Sequence, residues 1–418
     1  MKSILSRHIQ ISVRVSVAQL LLAVATLLFA TYLGWELYWF QKIGLYFIKW
    51  HTHLVFTALL FAALLFTPIY LFSFFRQGDS RKKAWSIAIS VWLVFLFLEL
   101  ALLVLGWNKT YNETRSGYYR SPFEPEAENT YHIYHPNDSL KVTAPEFSYV
   151  AHYNSLGFPG KEWPTEKSNR NRIVTLGDSF TEGDGAPMDS TYPAQLQNIL
   201  GDSFEILNAG VRGSDPVFGV KIFEDQIAAY QPDLVLQTIS ENDVLFDMCI
   251  RGGYERFLPD STVRFASPPW WEPIYAMSYV SRIFFHAFGF DMSEPCGNTK
   301  SPAFVAQQNE LLKDVLNRFE ATAAANNTPV LIVFFPTKFE VFRNAYDFDY
   351  TSAKQHINTL PHVSFVDLFD CYRSKINNSG KPKQDFYWVI DGHHNPRGYG
   401  LMASCVAEAI WHQQIDLK

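Results

Sequence analysis

Ile173-Val174-Thr175-Leu176-Gly177-Asp178-Ser179-Phe180-Thr181-Glu182-Gly183 is a short apolar run that breaks into a glycine-flanked turn. The run reads as a β-strand, and the turn places Ser179 where a helix begins. A serine hydroxyl is a weak nucleophile until a base takes its proton. A position just past a strand, at the start of a helix, exposes Oγ and aims backbone N–H groups at a developing negative charge. Far downstream, Asp391-Gly392-His393-His394-Asn395-Pro396 supplies an acid and two imidazoles. A lone Gly-Asp-Ser is common in turns, so the weight rests on what accompanies it.

Outward from this strand the pattern is regular. Apolar β-rich runs occur at 173–176, 204–207, 234–239, 330–335 and 363–368, and helix-like stretches at 193–200, 217–230 and 303–325. Short apolar strands alternating with helices predict an α/β domain with a parallel sheet covered on both faces. The active site of such a sheet forms at the carboxyl ends of its strands. Ser179 follows the first strand and Asn242 the third, so both belong to that edge. Residues 244–301 break the rhythm and carry Phe246, Tyr254, Phe257, Trp270, Trp271, Tyr275 and Tyr279. This insertion is expected to form a lid or substrate wall, or else to pack on the fold or rest its aromatics on a membrane.

Four segments in fixed order resemble the blocks of the SGNH (GDSL-type) hydrolase family. They are Gly177-Asp178-Ser179-Phe180, Asn208-Ala209-Gly210-Val211-Arg212-Gly213, Ser240-Glu241-Asn242-Asp243 and Asp391-Gly392-His393. The resemblance spans roughly residues 147–415 and implies a flavodoxin-like, three-layer fold. It also implies Ser179 as nucleophile, His393 as base and Asp391 as the partner that orients it. The backbone N–H groups of Ser179 and Gly213, with the Asn242 amide, would form the oxyanion hole. Two departures stand out. Ser240 replaces the glycine that usually opens the third block. The last block often reads Asp-x-x-His, which would select His394 instead. The family also uses Asp-x-His, and the five residues from His393 to Gly398 match its usual spacing from the catalytic histidine to a following glycine, so the resemblance implies His393, with His394 as the alternative. Asp178 and Asp243 read as structural, and Asn395-Pro396 as the cap and first turn of a final helix. Asn154-Ser155-Leu156-Gly157-Phe158 resembles a segment that often precedes the first block, and no chemistry is assigned to it.

The chain has 418 residues and a formal net charge of -6. That charge is split: residues 1–107 hold 9 Lys+Arg against 3 Asp+Glu, the remainder 26 against 38. The acidic remainder argues against a nucleic-acid partner, which needs clustered cations. In the basic part, three apolar runs at about 15–35, 54–75 and 85–107 each exceed the ~20 residues a helix needs to cross a bilayer. Tyr32, Trp35, Trp39, Trp50, Trp85 and Trp107 fit an interfacial belt. The first run is longer than the apolar core of a signal peptide and no small-x-small site closes it. Lys2, Arg7 and Arg14 precede it, and Arg76, Arg81, Lys82 and Lys83 lie between the second and third. The positive-inside rule then makes the N-terminus cytoplasmic and everything after the third span periplasmic or extracellular. The organisation expected is a membrane region at 1–107, a linker and extended lead-in at 108–170, and the hydrolase-like domain at 171–418. Glu99, inside the third span, is a costly carboxylate unless paired or protonated.

Cys249, Cys296, Cys371 and Cys405 lack CxxC spacing, so a zinc site is not expected. Cys249 with Cys296 and Cys371 with Cys405 would form two disulfides outside the cytoplasm; four buried thiols are the alternative. His51 with His53 and the adjacent His393-His394 lack metal-ligand spacing, and no nucleotide-binding glycine loop occurs. No metal and no cofactor are therefore expected. The reading is a membrane-anchored serine esterase acting on O-acylated envelope glycans or lipids. An O-acyltransferase modifying an extracytoplasmic polysaccharide, served by a membrane acyltransferase partner, would use the same triad. A non-catalytic glycan- or protein-binding module is the third reading.

Overall fold

The computed structural model describes residues 79–105, 134–258, 278–288 and 299–412, with scattered positions within 27–38 and 57–68, Tyr275 and Cys296. The chain divides into two compact units. One comprises residues 1–117 and 267–295, the other 118–266 and 296–418.

The second unit holds a five-stranded sheet whose strands are the five apolar runs. After a hairpin of β1 (Ser139–Thr143) and β2 (Ser148–His152) come β3 (Asn171–Gly177), β4 (Phe204–Gly210), β5 (Leu234–Ile239), β6 (Val330–Phe334) and β7 (Val363–Asp367). All neighbours in the sheet pair in parallel, in the order β4-β3-β5-β6-β7. Counted within the sheet this is 2-1-3-4-5, the flavodoxin-like order. Residues along each strand point alternately to opposite faces, and the core divides accordingly. Val235, Val330, Ile332 and Phe334 join one apolar cluster; Leu234, Leu236, Leu331 and Val333 join the other. The helices Pro216–Asp225 and Pro302–Asn326 cover the first face, and Tyr192–Leu200, Phe369–Asn378 and Pro396–His412 the second.

Helix starts follow local chemistry. Asp215 and Ser301 cap the N–H groups of Phe218 and Phe304, each with proline at the next position. A side-chain acceptor at the N-cap followed by proline satisfies the first orphan N–H groups and presets the helical φ. The helix expected over 217–230 is shorter than the sequence suggests. It ends at Asp225 because Gln226 turns out of the helical region, and a separate turn runs from Ile227 to Tyr230. The lead-in, expected as linker and extended pieces, contains the antiparallel β1–β2 hairpin.

Of the three spans expected, those at 15–35 and 54–75 lie largely outside the described residues. Among the described residues one helix, Lys82–Val104, is long and apolar enough to cross a membrane, rather than three. It belongs to a helix that starts at Asp79, six residues before the expected start at Trp85. Lysine, arginine and alanine are good helix formers, so the basic loop continues the helix backwards, and Asp79 complements its N-terminus. Within the same unit, Trp92 donates its indole N–H to the Ala58 carbonyl at 3.1 Å, and Phe95 stacks on Phe61. The insertion at 244–301 is divided. Val244 and Met248 are buried in the sheet's core, whereas residues 267–295 cluster with the apolar unit. Both cysteine pairs are disulfides, Cys249–Cys296 and Cys371–Cys405.

Candidate active site

Ser179 opens a four-residue helix immediately after β3. Asp178 is its N-cap, and its carboxylate accepts the Phe180 N–H at 2.9 Å. Gly177 allows the close approach this needs. A Cβ there would lie 2.0 Å from the Thr238 hydroxyl and 2.3 Å from that of Thr181, two groups that hydrogen-bond each other at 2.7 Å. The turn therefore presses directly against β5.

The Ser179 hydroxyl lies 2.8 Å from Nε2 of His393. Nδ1 of His393 hydrogen-bonds the Asp391 carboxylate, which also accepts the His393 N–H at 3.2 Å. Three residues drawn from positions 214 apart thus form one line. Burial opposes a charge on His393, but the Asp391 hydrogen bond and the carboxylates of Asp184, Asp391 and Asp178 outweigh it, so its pKa is raised above 6.5. The hydrogen bond from His393 holds Asp391 below its usual range. The arrangement can move the serine proton onto an imidazole whose cationic form is stabilised in advance.

The loop carrying this pair is fastened from the β1–β2 hairpin. Glu146 accepts the N–H groups of Val389, Ile390 and Asp391 at 2.7, 2.7 and 2.9 Å. Lys338 donates to the Trp388 carbonyl at 2.7 Å and to that of Val389 at 2.6 Å. The Trp388 indole donates to the Gly185 carbonyl at 2.9 Å, tying the loop to the segment after the nucleophile.

Gly213 and Asn242 follow β4 and β5, the two neighbours of β3, so they flank Ser179 at the carboxyl edge. The Val211 N–H and the Ser214 hydroxyl both donate to the Gly177 carbonyl, at 2.9 and 2.8 Å, which fixes the Gly213 loop against the nucleophile turn. Asn242 is exposed. Ser240, in place of the usual glycine, is fully buried and donates both its N–H and its hydroxyl to Asp243, at 2.6 and 2.8 Å. The extra hydroxyl is thereby satisfied.

His394 has a different setting. It is fully buried, Tyr387 stacks on it at 4.8 Å, and Phe180, Tyr372 and Tyr399 surround it. Neither ring nitrogen has a hydrogen-bond partner. Gly398 is required beside it, since a Cβ there would lie 2.6 Å from the ring and 2.0 Å from the Phe386 carbonyl. Burial, reinforced by the neighbouring His393, lowers its pKa to about 3. A histidine depressed in the folded state contributes stability that is complete above pH 6.5 and is lost as pH falls towards 3. The loss deepens with each pH unit through that window. His394→Leu is therefore expected to flatten the acid side of the stability profile and to retain ester turnover, as chemical denaturation at pH 4 and 7 would register. A variant as acid-labile as the parent would contradict the assignment.

Sequence reasoning passed over several residues. Tyr134 and Tyr153 donate to Glu182 at 2.9 and 3.2 Å, and Tyr149 donates to Asp184 at 2.8 Å. Arg212 pairs with Asp184 at 2.7 Å, and its backbone N–H donates to Glu182 at 2.6 Å. The tyrosine-rich lead-in was the available signal, and its role is to brace the residues that follow the nucleophile. Asn154 closes its own turn by accepting the N–H groups of Leu156 and Phe158, both at 3.0 Å. Among the described residues, Glu241, Glu340 and Asp347 bring carboxylates within 4.8 Å of one another. Glu340 is committed to a capping box with Thr337 and accepts the Asp347 N–H at 2.8 Å. Burial, a hydrogen bond shared with Asp347 and the charge of Glu340 push Glu241 up to about 8. The group reads as a proton-sharing brace behind the Asn242 turn.

The model of the GDSL-like lipase/acylhydrolase family matches residues 175–401. A stretch of 92 residues is 35% identical to an acetylxylan esterase of Xylanibacter ruminicola, covering 20% of this chain and 19% of that protein. The chain thus spans about a fifth of the length of that curated relative. Similar solved structures include a two-domain esterase active on acetylated mannans, at 15% identity and TM-score 0.35, covering 59% of this chain and 49% of that one. A lipase/acylhydrolase from Enterococcus faecalis is 15% identical at TM-score 0.33, covering 58% and 96%.

Proposed function

The chain belongs to the GDSL-like lipase/acylhydrolase family, a family of ester-cleaving serine hydrolases, and on that premise we propose that it removes O-acyl groups from extracytoplasmic glycans. The observation that carries this reading is the hydrogen-bonded line Ser179–His393–Asp391. His393 takes the Ser179 proton as Oγ attacks the ester carbonyl carbon. The carbonyl oxygen becomes an oxyanion held by the N–H groups of Ser179 and Gly213 and the amide of Asn242. The imidazolium returns its proton to the departing sugar oxygen, leaving an acyl-serine. Water, deprotonated by His393, attacks that ester and releases the carboxylic acid.

An acyl ester on a polysaccharide is the substrate class favoured by the stretch shared with the acetylxylan esterase. An extracytoplasmic setting is supported by the two disulfides, since such bonds persist in oxidising compartments. Membrane anchorage rests on the helix Lys82–Val104 and on the apolar runs before it. Three spans with a cytoplasmic N-terminus put the hydrolase on the far side of the membrane.

Detergent-solubilised full-length protein with acetylated xylan, assayed for free acetate, tests this reading. Acetate release is expected, and Asn242→Ala is expected to lower kcat about 100- to 1000-fold with little change in KM, because its amide acts on the oxyanion alone. Release of acetate only when a sugar acceptor is absent, with acetylated acceptor formed when it is present, would replace hydrolysis by transfer. No turnover of acetylated xylan or of aryl acetates would overturn the reading.

A further inference from the structure

Glu99 lies in the helix Lys82–Val104, the span on which this inference rests, and is 1% exposed. Its carboxylate accepts the N–H of Tyr279 at 2.9 Å, the N–H of Val280 at 3.0 Å and the hydroxyl of Ser278. These groups open the nine-residue helix Tyr279–Ala287, whose N-cap Ser278 accepts the Ser281 N–H at 3.0 Å. Helix N-termini leave four N–H groups without partners and carry partial positive charge. Glu99 thus supplies, from a distant part of the sequence, both the missing acceptors and the complementary charge. All these residues belong to the same compact unit.

Glu99 stands five residues before the end of its helix, about 7.5 Å along the axis. With the basic Arg81-Lys82-Lys83 end cytoplasmic, that depth is measured from the extracytoplasmic end. Helices that lie in a membrane interface bury their apolar face about 5–10 Å deep, and Glu99 sits in the extracytoplasmic half of the span, the end that such a helix reaches. The faces of Tyr279–Ala287 fit the same placement. Tyr279 and Arg282 are buried, the guanidinium 3.8 Å above the Tyr279 ring, and the Tyr275 hydroxyl is 3.0 Å from His286. The opposite stripe is apolar and open: Ile283 is 43% exposed, Phe284 60% and Phe288 77%. The span carries outward-facing apolar side chains of its own at Val94, Phe97 and Leu98.

We infer that the helix Tyr279–Ala287 lies shallowly in the membrane, latched by Glu99 to the span Lys82–Val104, and with Phe288 at its end presents Ile283, Phe284 and Phe288 to acyl chains of the extracytoplasmic leaflet. The segment is joined to the sheet-bearing unit at residues 266–267 and 295–296, and its distal root, Cys296, is bonded to Cys249. The hydrolase is thereby tethered to the bilayer through its insertion as well as through the chain that follows the third span. A substrate held at the membrane surface, such as a lipid-linked or nascent envelope glycan, suits an enzyme restrained in this way.

The test is spin labelling of full-length protein in phosphatidylcholine–phosphatidylglycerol vesicles, with collision to oxygen and to a nickel chelate measured at Phe284→Cys. Leu93→Cys in the span is the control. Greater collision with oxygen than with nickel at both positions is expected. In Glu99→Ala the ratio should invert at 284 and stay unchanged at 93, and Glu99→Gln should restore part of it. A nickel-accessible label at 284 in the parent protein, or a lipid signature there that survives Glu99→Ala, overturns the latch. A label at 284 shielded from both reagents would mean contact with protein and equally overturns it. A nickel-accessible label at 93 would instead overturn the membrane-span reading itself.

Discussion

Ser179→Ala is expected to lower kcat for ester hydrolysis about a million-fold without unfolding the protein. The fold does not depend on the hydroxyl. The cap of the nucleophile helix is the Asp178 carboxylate, and the Ser179 carbonyl, which any residue would supply, accepts the N–H groups of Gly183 and Asp184 at 2.9 Å each. What is lost is the single bond to His393. His393→Ala should cost about as much, because a base without a nucleophile and a nucleophile without a base are equally idle. The double variant then costs no more than either single one, the behaviour of residues that act as a unit. Steady-state kinetics on an aryl acetate, beside thermal unfolding of each variant, reads both quantities. Additive losses in the double variant, or residual turnover near the parent rate, would remove Ser179 from the role of nucleophile.

The sheet was legible in the sequence because its strands are buried on both faces. Leu234–Ile239 and Val330–Phe334 are unbroken apolar or buried runs, and turn signals mark where they stop. The hairpin was less legible. Ser148–His152 falls within 147–153, which reads as an extended piece, whereas Ser139–Thr143 is mostly exposed, so apolar content did not distinguish it from linker. Choices that depend on distant pairing were less legible still. Nothing local says that Glu146 will hold the N–H groups of residues 243 to 245 positions away. Adjacent histidines also look alike in sequence. They differ because chain direction at the Asp391 loop sends one ring to Ser179 and the other into a pocket of tyrosines. Glu99 was conspicuous as a carboxylate within a long apolar run, but its partner lies 180 residues on, and only folding brings a helix N-terminus to it.

Asp391→Asn should separate orientation from charge. The carboxylate accepts the Nδ1 proton of His393, which leaves Nε2 free to receive the serine proton. An asparagine can turn its NH2 towards Nδ1 and so favour the opposite tautomer, with the proton on Nε2 and no base facing Ser179. The cost expected in kcat near neutral pH is about ten-thousand-fold. A second consequence follows from the causes of the His393 pKa. In the parent, burial lowers it, and the Asp391 hydrogen bond, with the charges of Asp184, Asp391 and Asp178, raises it past 6.5. Activity needs the neutral imidazole, so the acid limb of the parent kcat/KM profile lies above 6.5 and turnover rises with pH through it. Removing the Asp391 charge deletes two of the raising causes and leaves burial in place, so the acid limb of the variant moves to lower pH while its plateau falls. A general loss of folding would lower the plateau without moving the limb. An unmoved limb, or a loss under about tenfold, would assign the orienting role to another carboxylate, and Asp184, whose charge also raises His393, would be the next position to replace.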